Sequence, residues 1–217
     1  MLSLYVDSAV RKDVEPLMKT GVFRGITTNP RLMHKAGLVP ADLPDLYGWA
    51  VDAGAQEVFI QSWGHEASEI AGRGRELMGI GDRVIIKVVA SRAGFQAAAD
   101  LTKDGIPVLL TAIYATHQAV TAAAIGARFI APYLGKMAEE GGAAREDVVA
   151  MHQLFVNTGS STRVLAASMR STADMFYLAQ RGVDAFALPD GVARKLMTDK
   201  LTASAVKEFD DITDNWA

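Results

Sequence analysis

The sequence contains no cysteine. Disulfides and thiolate chemistry are therefore excluded, and the composition fits a reducing compartment. No apolar run approaches the roughly 20 residues needed to span a bilayer. The opening "MLSLYVDSAVRKD" is broken at Asp7 and carries no signal-peptide core. The expected setting is cytoplasmic, with no membrane partner. A strong charge of either sign is also missing. A net charge of −3 offers no general attraction to phosphate backbones, so no nucleic-acid partner is expected.

Several catalytic signatures are absent as well. His34, His65, His117 and His152 are scattered, without an H-E-x-x-H or an i, i+4 pair, so no metal site is expected. The stretch "GRGRELMGIGDR" (72–83) is rich in glycine but lacks the G-x-x-x-x-G-K-[ST] order. It precedes an apolar run rather than following one, and reads as a helix end and turn. No G-x-S-x-G occurs, and no basic–aromatic run.

What remains is an ordinary globular balance, half hydrophobic and 22% charged, in 217 residues that can bury a substantial core. Eight short apolar runs punctuate the chain: "LSLYV" (2–6), "FRGIT" (23–27), "EVFIQ" (57–61), "VIIKVV" (84–89), "PVLLT" (107–111), "RFIAP" (128–132), "RVLAAS" (163–168) and "AFALP" (185–189). Helical segments lie between them. "SRAGFQAAADLTKDG" (91–105) starts on a serine cap and stops at glycine, and "STADMFYLAQRG" (171–182) follows the same plan. "REDVVAMHQLF" (145–155) sets Val148, Met151, His152 and Phe155 on one face, where His152 is expected to be a satisfied core residue.

Repeated strand–helix alternation predicts a parallel sheet, and eight parallel strands can close on themselves. The expected fold is α/β, a (β/α)8 TIM barrel forming a single domain over 1–217. A doubly wound open sheet is the alternative, since periodicity does not show closure. The tail "ASAVKEFDDITDNWA" (203–217) predicts a C-terminal helix with Val206, Phe209 and Ile212 spaced for a partner, on this chain or on another subunit.

In such a barrel the working face is built at the C-terminal ends of the strands. Those places are polar here: Asp7, then Thr27, Thr28 and Asn29, then Gln61 and Ser62, then Thr111, Tyr133, Ser168 and Arg170. Any one of them is explained by ordinary exposure of a strand end. Lys87 is harder to dismiss, because it stands inside "VIIKVV" on the face shared by Ile85 and Val89. A buried, unpaired ammonium costs several kcal/mol, and the usual escape is a lowered pKa. A neutral amine in a polar-rimmed pocket can condense with a carbonyl. The bland alternative is a buried ion pair, with Asp7 as the partner.

The segments "YVDSA" (5–9), "GITTNPRL" (25–32), "IIKV" (85–88), "LLTAIY" (109–114), "FIAPYLGKM" (129–137) and "VLAASMR" (164–170) resemble the transaldolase family. They are most similar to its short members, the fructose-6-phosphate aldolases and transaldolase-like proteins. The resemblance runs from Leu2 to about Trp216, in order. It implies a class I aldolase barrel without cofactor or metal, acting on a small ketose or ketose phosphate, with Lys87 as the Schiff-base lysine. It further implies Asp7 at the C4 hydroxyl, Thr27, Asn29 and Ser168 on the dihydroxyacetone portion, and Arg170 on a phosphate. A homo-oligomer, pentamer or decamer, is implied too.

By the same resemblance, transaldolases carry Glu where this chain has Gln61 and Phe where it has Tyr133. The glutamine and tyrosine, with Thr111 helping Gln61 to hold a water, favour an aldolase that cleaves or forms fructose 6-phosphate or a related ketose. A transaldolase passing the dihydroxyacetone unit to another sugar phosphate is the alternative. A barrel that only binds a sugar phosphate is a third reading. Three departures stand out. Lys136 occupies a position where relatives commonly place an arginine, Val89 follows the lysine strand in place of proline, and Trp63 puts a large ring near the mouth.

Overall fold

Neighbouring strand residues point to opposite faces, and here both faces are apolar, which demands cover on both sides of the sheet. The computed structural model describes residues 2–216 and meets that demand by closure. The strands are β1 (Ser3–Asp7), β2 (Gly25–Thr27), β3 (Glu57–Gln61), β4 (Val84–Val89), β5 (Val108–Ile113), β6 (Phe129–Pro132), β7 (Arg163–Ala166) and β8 (Ala185–Leu188). All pair in parallel and in chain order, and β1 returns to pair with β8 from Ser3–Ala185 to Val6–Leu188. That last pairing distinguishes the closed barrel from an open sheet.

The helices are α1 (Arg11–Met18), α2 (Pro30–Lys35), α3 (Leu43–Asp52), α4 (Ala67–Met78), α5 (Arg92–Lys103) and α6 (His117–Ala124). They continue with α7 (Leu134–Glu139), α8 (Ala144–Thr158), α9 (Thr172–Ala179), α10 (Asp190–Lys195) and α11 (Lys200–Thr213). Side-chain caps start several of them. Ser91 accepts from the Gly94 amide (3.0 Å), Ser171 from Asp174 (3.1 Å) and Asp199 from Leu201 (2.9 Å). The Asp199 cap moves the start of the last helix ahead of the expected Ala203. Its final expected residue, Ala217, lies outside the described residues. No described helix is long and apolar enough to cross a membrane.

Two apolar layers hold the barrel. Outside, Val6, Ile26, Val58, Ile60, Ile86, Val88 and Leu110 pack under the helices. Inside, Tyr5, Phe59, Ile85, Leu109, Phe129 and Leu165 fill the lumen, with Tyr5 edge-on to Phe59 and Phe59 edge-on to Phe129. Fully burying one such side chain stabilises the fold by about 1.5–3 kcal/mol. Gly25 allows β2 and β3 to meet: a Cβ there would lie 1.9 Å from the Glu57 carbonyl oxygen.

The lumen floor is charged. The Glu57 carboxylate accepts from the Tyr5 hydroxyl, from Arg24 (2.9 Å) and from Arg128. Burial pushes that carboxyl up, but the Tyr5 and Arg24 hydrogen bonds and the Arg128 charge outweigh it, leaving its pKa below the usual carboxylate range. Burial first, and Glu57 second, push the Tyr5 phenol far above its ordinary value. His152 departs from expectation. It is only half-buried, because the face it was assigned to ends at Val148, Met151 and Phe155, and its ring lies against Gly182 instead.

Candidate active site

Above the apolar lumen layer, the next inward position of successive strands is polar. Asp7 follows Tyr5 on the same face, Gln61 follows Phe59, Lys87 follows Ile85 and Thr111 follows Leu109. The register sets them side by side: Asp7 beside Thr27, Gln61 beside Lys87, and Thr111 beside Ala131. Polar groups from β1 to β5 thus gather at the C-terminal end of the barrel, while β6, β7 and β8 present Ala131, Ala167 and Ala187 to the lumen.

Lys87 is among these polar groups and only 4% exposed. Its amine donates to the Thr28 carbonyl oxygen at 2.7 Å. Burial drives the pKa of the amine below the ordinary lysine value, and the Asp7 charge opposes this without overcoming it. The ion pair considered from the sequence does not form. Asp7 instead accepts from the Thr27 hydroxyl on the adjacent strand.

The Thr111 and Tyr133 hydroxyls are 3.0 Å apart, so either can donate. Tyr133 packs edge-on against Tyr114 at 5.6 Å between ring centroids. Burial raises the pKa of the Tyr133 phenol, the Thr111 hydrogen bond pulls it down, and the negative charge of Asp7 pushes it up again. The phenol is therefore protonated at neutral pH and has a proton to give. Thr111 therefore bonds to Tyr133, and it is also the residue expected to help Gln61 orient a water.

Two residues at this end of the barrel have left-handed backbones, Ala112 (φ 58°) and Ser168 (φ 56°). Each costs on the order of 1–3 kcal/mol in a non-glycine residue. The first forms a bulge that shifts the β5–β6 register between Thr111 and Ile113, so β5 runs on beyond the expected Thr111. The second turns the chain out of the barrel after β7, which ends at Ala166 rather than at Ser168. Here the Ser168 carbonyl accepts from the Gly135 amide (3.1 Å), tying the loop to α7.

Three other polar groups from the strand ends are already committed. Asn29 caps α2, its side-chain oxygen accepting from the Leu32 amide at 2.9 Å, which leaves its two amide hydrogens for a ligand. Ser62 spends its hydroxyl on the Ile70 carbonyl (2.7 Å) and Thr28 spends its own on Phe59 (2.9 Å), both facing away from the lumen. Trp63 lies under the Arg73 guanidinium, 4.3 Å from the ring centroid. Val89 ends its strand 40% exposed.

Lys136 and Arg170 meet at the rim, on a residue that sequence reasoning missed. Glu139 accepts from Arg170 through one oxygen and from Lys136 through the other, both at 2.7 Å. Its i, i+3 spacing from Lys136 was a usable signal, but the loop that delivers Arg170 was not foreseeable. The Thr28 carbonyl was missed for a different reason: a backbone acceptor leaves no mark in residue identities.

Residues 4–216 match the family described as Transaldolase/Fructose-6-phosphate aldolase. The chain belongs to this family. Curated relatives within it align over almost their full length. A probable transaldolase of Hyphomonas neptunium is 32% identical over 212 residues, covering 96% of this chain and 95% of its own. One from Coprothermobacter proteolyticus is 28% identical, covering 96% and 94%. Among solved structures, a thiamine phosphate pyrophosphorylase from Pyrococcus furiosus superposes with a TM-score of 0.59 at 14% identity, over 88% of this chain and 87% of that one. Flavocytochrome B2 gives 0.62 at 12% identity, over 88% of this chain, which spans 56% of the flavocytochrome. At such identities these structures share the barrel alone.

Proposed function

We propose that this member of the transaldolase/fructose-6-phosphate aldolase family is a class I aldolase, joining or splitting a ketose at dihydroxyacetone through Lys87. One observation carries the reading: an amine enclosed in the lumen, its pKa lowered by burial, held by a carbonyl rather than by a counter-charge. Such an amine gives up its proton, and so offers its lone pair, more readily than an ordinary lysine.

The unprotonated Lys87 nitrogen adds to the ketone carbon, and the carbinolamine takes up a proton from solvent and loses water to give an iminium. Asp7 takes the proton of the C4 hydroxyl, the C3–C4 bond breaks, and its electron pair flows into the iminium to form an enamine. The aldehyde half departs. Tyr133, protonated and aligned by Thr111, returns a proton to the enamine carbon, and water held by Gln61 hydrolyses the imine. Thr27, the Asn29 amide and Ser168 bind the dihydroxyacetone hydroxyls, while Lys136 and Arg170 face the far end of the substrate.

A transaldolase is the second reading, favoured by the names of the curated relatives, "Probable transaldolase". It would keep the enamine for an aldose acceptor. The paired Tyr133 and Thr111 support the aldolase, because a protonated phenol near the enamine ends its lifetime. Borohydride reduction in the presence of dihydroxyacetone should add a substrate-sized mass to the Lys87 peptide, and an unmodified peptide would sink both readings. Transfer from fructose 6-phosphate to erythrose 4-phosphate far faster than cleavage would select the second.

Assembly is proposed on separate grounds. The last helix buries none of its residues, and Leu201 (82% exposed), Phe209, Ile212 and Trp216 stand in solvent. A homo-oligomer in which α11 covers a second copy, as a pentamer or decamer, would bury them.

A further inference from the structure

The two rim cations are already bridged by a carboxylate of the chain itself. Arg170 donates to one oxygen of Glu139 and Lys136 to the other, each at 2.7 Å. This is how a phosphate would engage the same pair, one oxygen per cation. The geometry is built by the fold. Lys136 and Glu139 share a face of α7, whose N-cap is Tyr133, so the cluster stands one short helix from the lumen. Arg170 reaches it across Gly135, where a Cβ would come within 2.7 Å of the Arg170 Nε and 2.5 Å of the Ser168 carbonyl oxygen. Only a residue without a side chain lets the guanidinium lie there. All three side chains remain about half exposed, at 55% for Arg170 and 49% for the others, so an incoming ligand can reach them.

Two cations alone would offer a dianionic phosphate a doubly positive clamp. With Glu139 among them the cluster carries a single net positive charge, and its strongest donors are engaged. An attached carboxylate also competes at an effective concentration in the millimolar range. We propose that Glu139 is a specificity-determining residue that sets the far end of this site for an aldehyde without a phosphate group. The substrate class becomes short, uncharged hydroxyaldehydes and the ketoses they form with dihydroxyacetone. This rests on the aldolase reading above for its chemistry, but not for its test.

The test compares wild type with Glu139→Gln, which keeps shape and removes charge. Titration calorimetry with inorganic phosphate as the probe needs no turnover. Removing the competitor should tighten phosphate binding roughly tenfold, about the worth of one charge-assisted hydrogen bond. In parallel, the ratio of kcat/KM for glyceraldehyde 3-phosphate to that for glyceraldehyde, each with dihydroxyacetone, should rise by a similar factor, mainly through KM. Equal phosphate affinity in the two proteins would overturn the proposal. Weaker binding in the variant would overturn it too, and would make Glu139 an organiser of a phosphate clamp. Reductive trapping on Lys87 is run alongside. Trapping without any change in phosphate affinity removes this inference alone, and tighter phosphate binding without trapping removes the aldolase reading alone.

Discussion

The Lys87 amine and the Thr28 carbonyl oxygen are 2.7 Å apart inside the barrel. A carbonyl orients the amine but cannot supply a formal counter-charge, so the penalty of burying an ammonium is only partly relieved. The site keeps a group whose charged form is disfavoured, at a cost to stability.

That cost is measurable. Lys87→Met should abolish reductive trapping and raise Tm by about 2–4 °C, the shift expected for roughly 1 kcal/mol in a chain of this size. Calorimetry on the two proteins checks it, and a lower Tm in the variant would mean that the amine contributes stability as an ion.

The pH dependence has a definite sign. The folded pKa of Lys87 lies below its ordinary value, so between the two the unfolded chain binds more protons. Stability should therefore rise with pH across that window, and the rise should be missing in Lys87→Met. The rate of trapping should climb as pH passes the folded pKa and level off below the ordinary lysine value of 10.5. A trapping rate still climbing beyond it would show an unperturbed amine.

Tyr133→Phe removes the phenolic proton and leaves the ring against Tyr114. Cleavage should fall by about 10²-fold, the low end for loss of a general acid. Transfer of the dihydroxyacetone unit to an aldose should persist or increase. Equal loss of both activities would take the proton-donor role away from Tyr133.

At the opposite end of the lumen, Glu57→Gln should destabilise the barrel by about 1–3 kcal/mol, since Tyr5, Arg24 and Arg128 lose a shared charged acceptor. The folded pKa of Glu57 is lowered, so its contribution is present above the ordinary carboxylate range and is lost as pH falls through the folded value. Urea denaturation near pH 7 and pH 3 should show the difference between wild type and variant shrinking in acid.

Truncation before Lys200 removes the exposed apolar face of the last helix. Light scattering should show a smaller assembly, while circular dichroism retains the signal of the barrel. An unchanged mass would place the subunit contact elsewhere.

The sequence by itself determined the parallel sheet and several of the polar groups at its C-terminal end. Alternation of strand and helix specifies parallel pairing, and the period of two along "VIIKVV" fixes Lys87 on the face of Ile85 whatever the neighbouring strands do. The polar groups Asp7, Gln61 and Thr111 follow from the same local rule. Closure, partnership and charge balance were decided by the tertiary structure. Whether Lys87 met Asp7 or a carbonyl depended on the register between strands, and the Thr28 acceptor belongs to the backbone rather than to any residue type. The left-handed turns at Ala112 and Ser168 carry no glycine to announce them. Glu139 joins Arg170 only because β6 and β7 are neighbours and Gly135 leaves room between them. Strand periodicity is a property of adjacent residues, whereas the pairing of distant charges exists only once the sheet has closed.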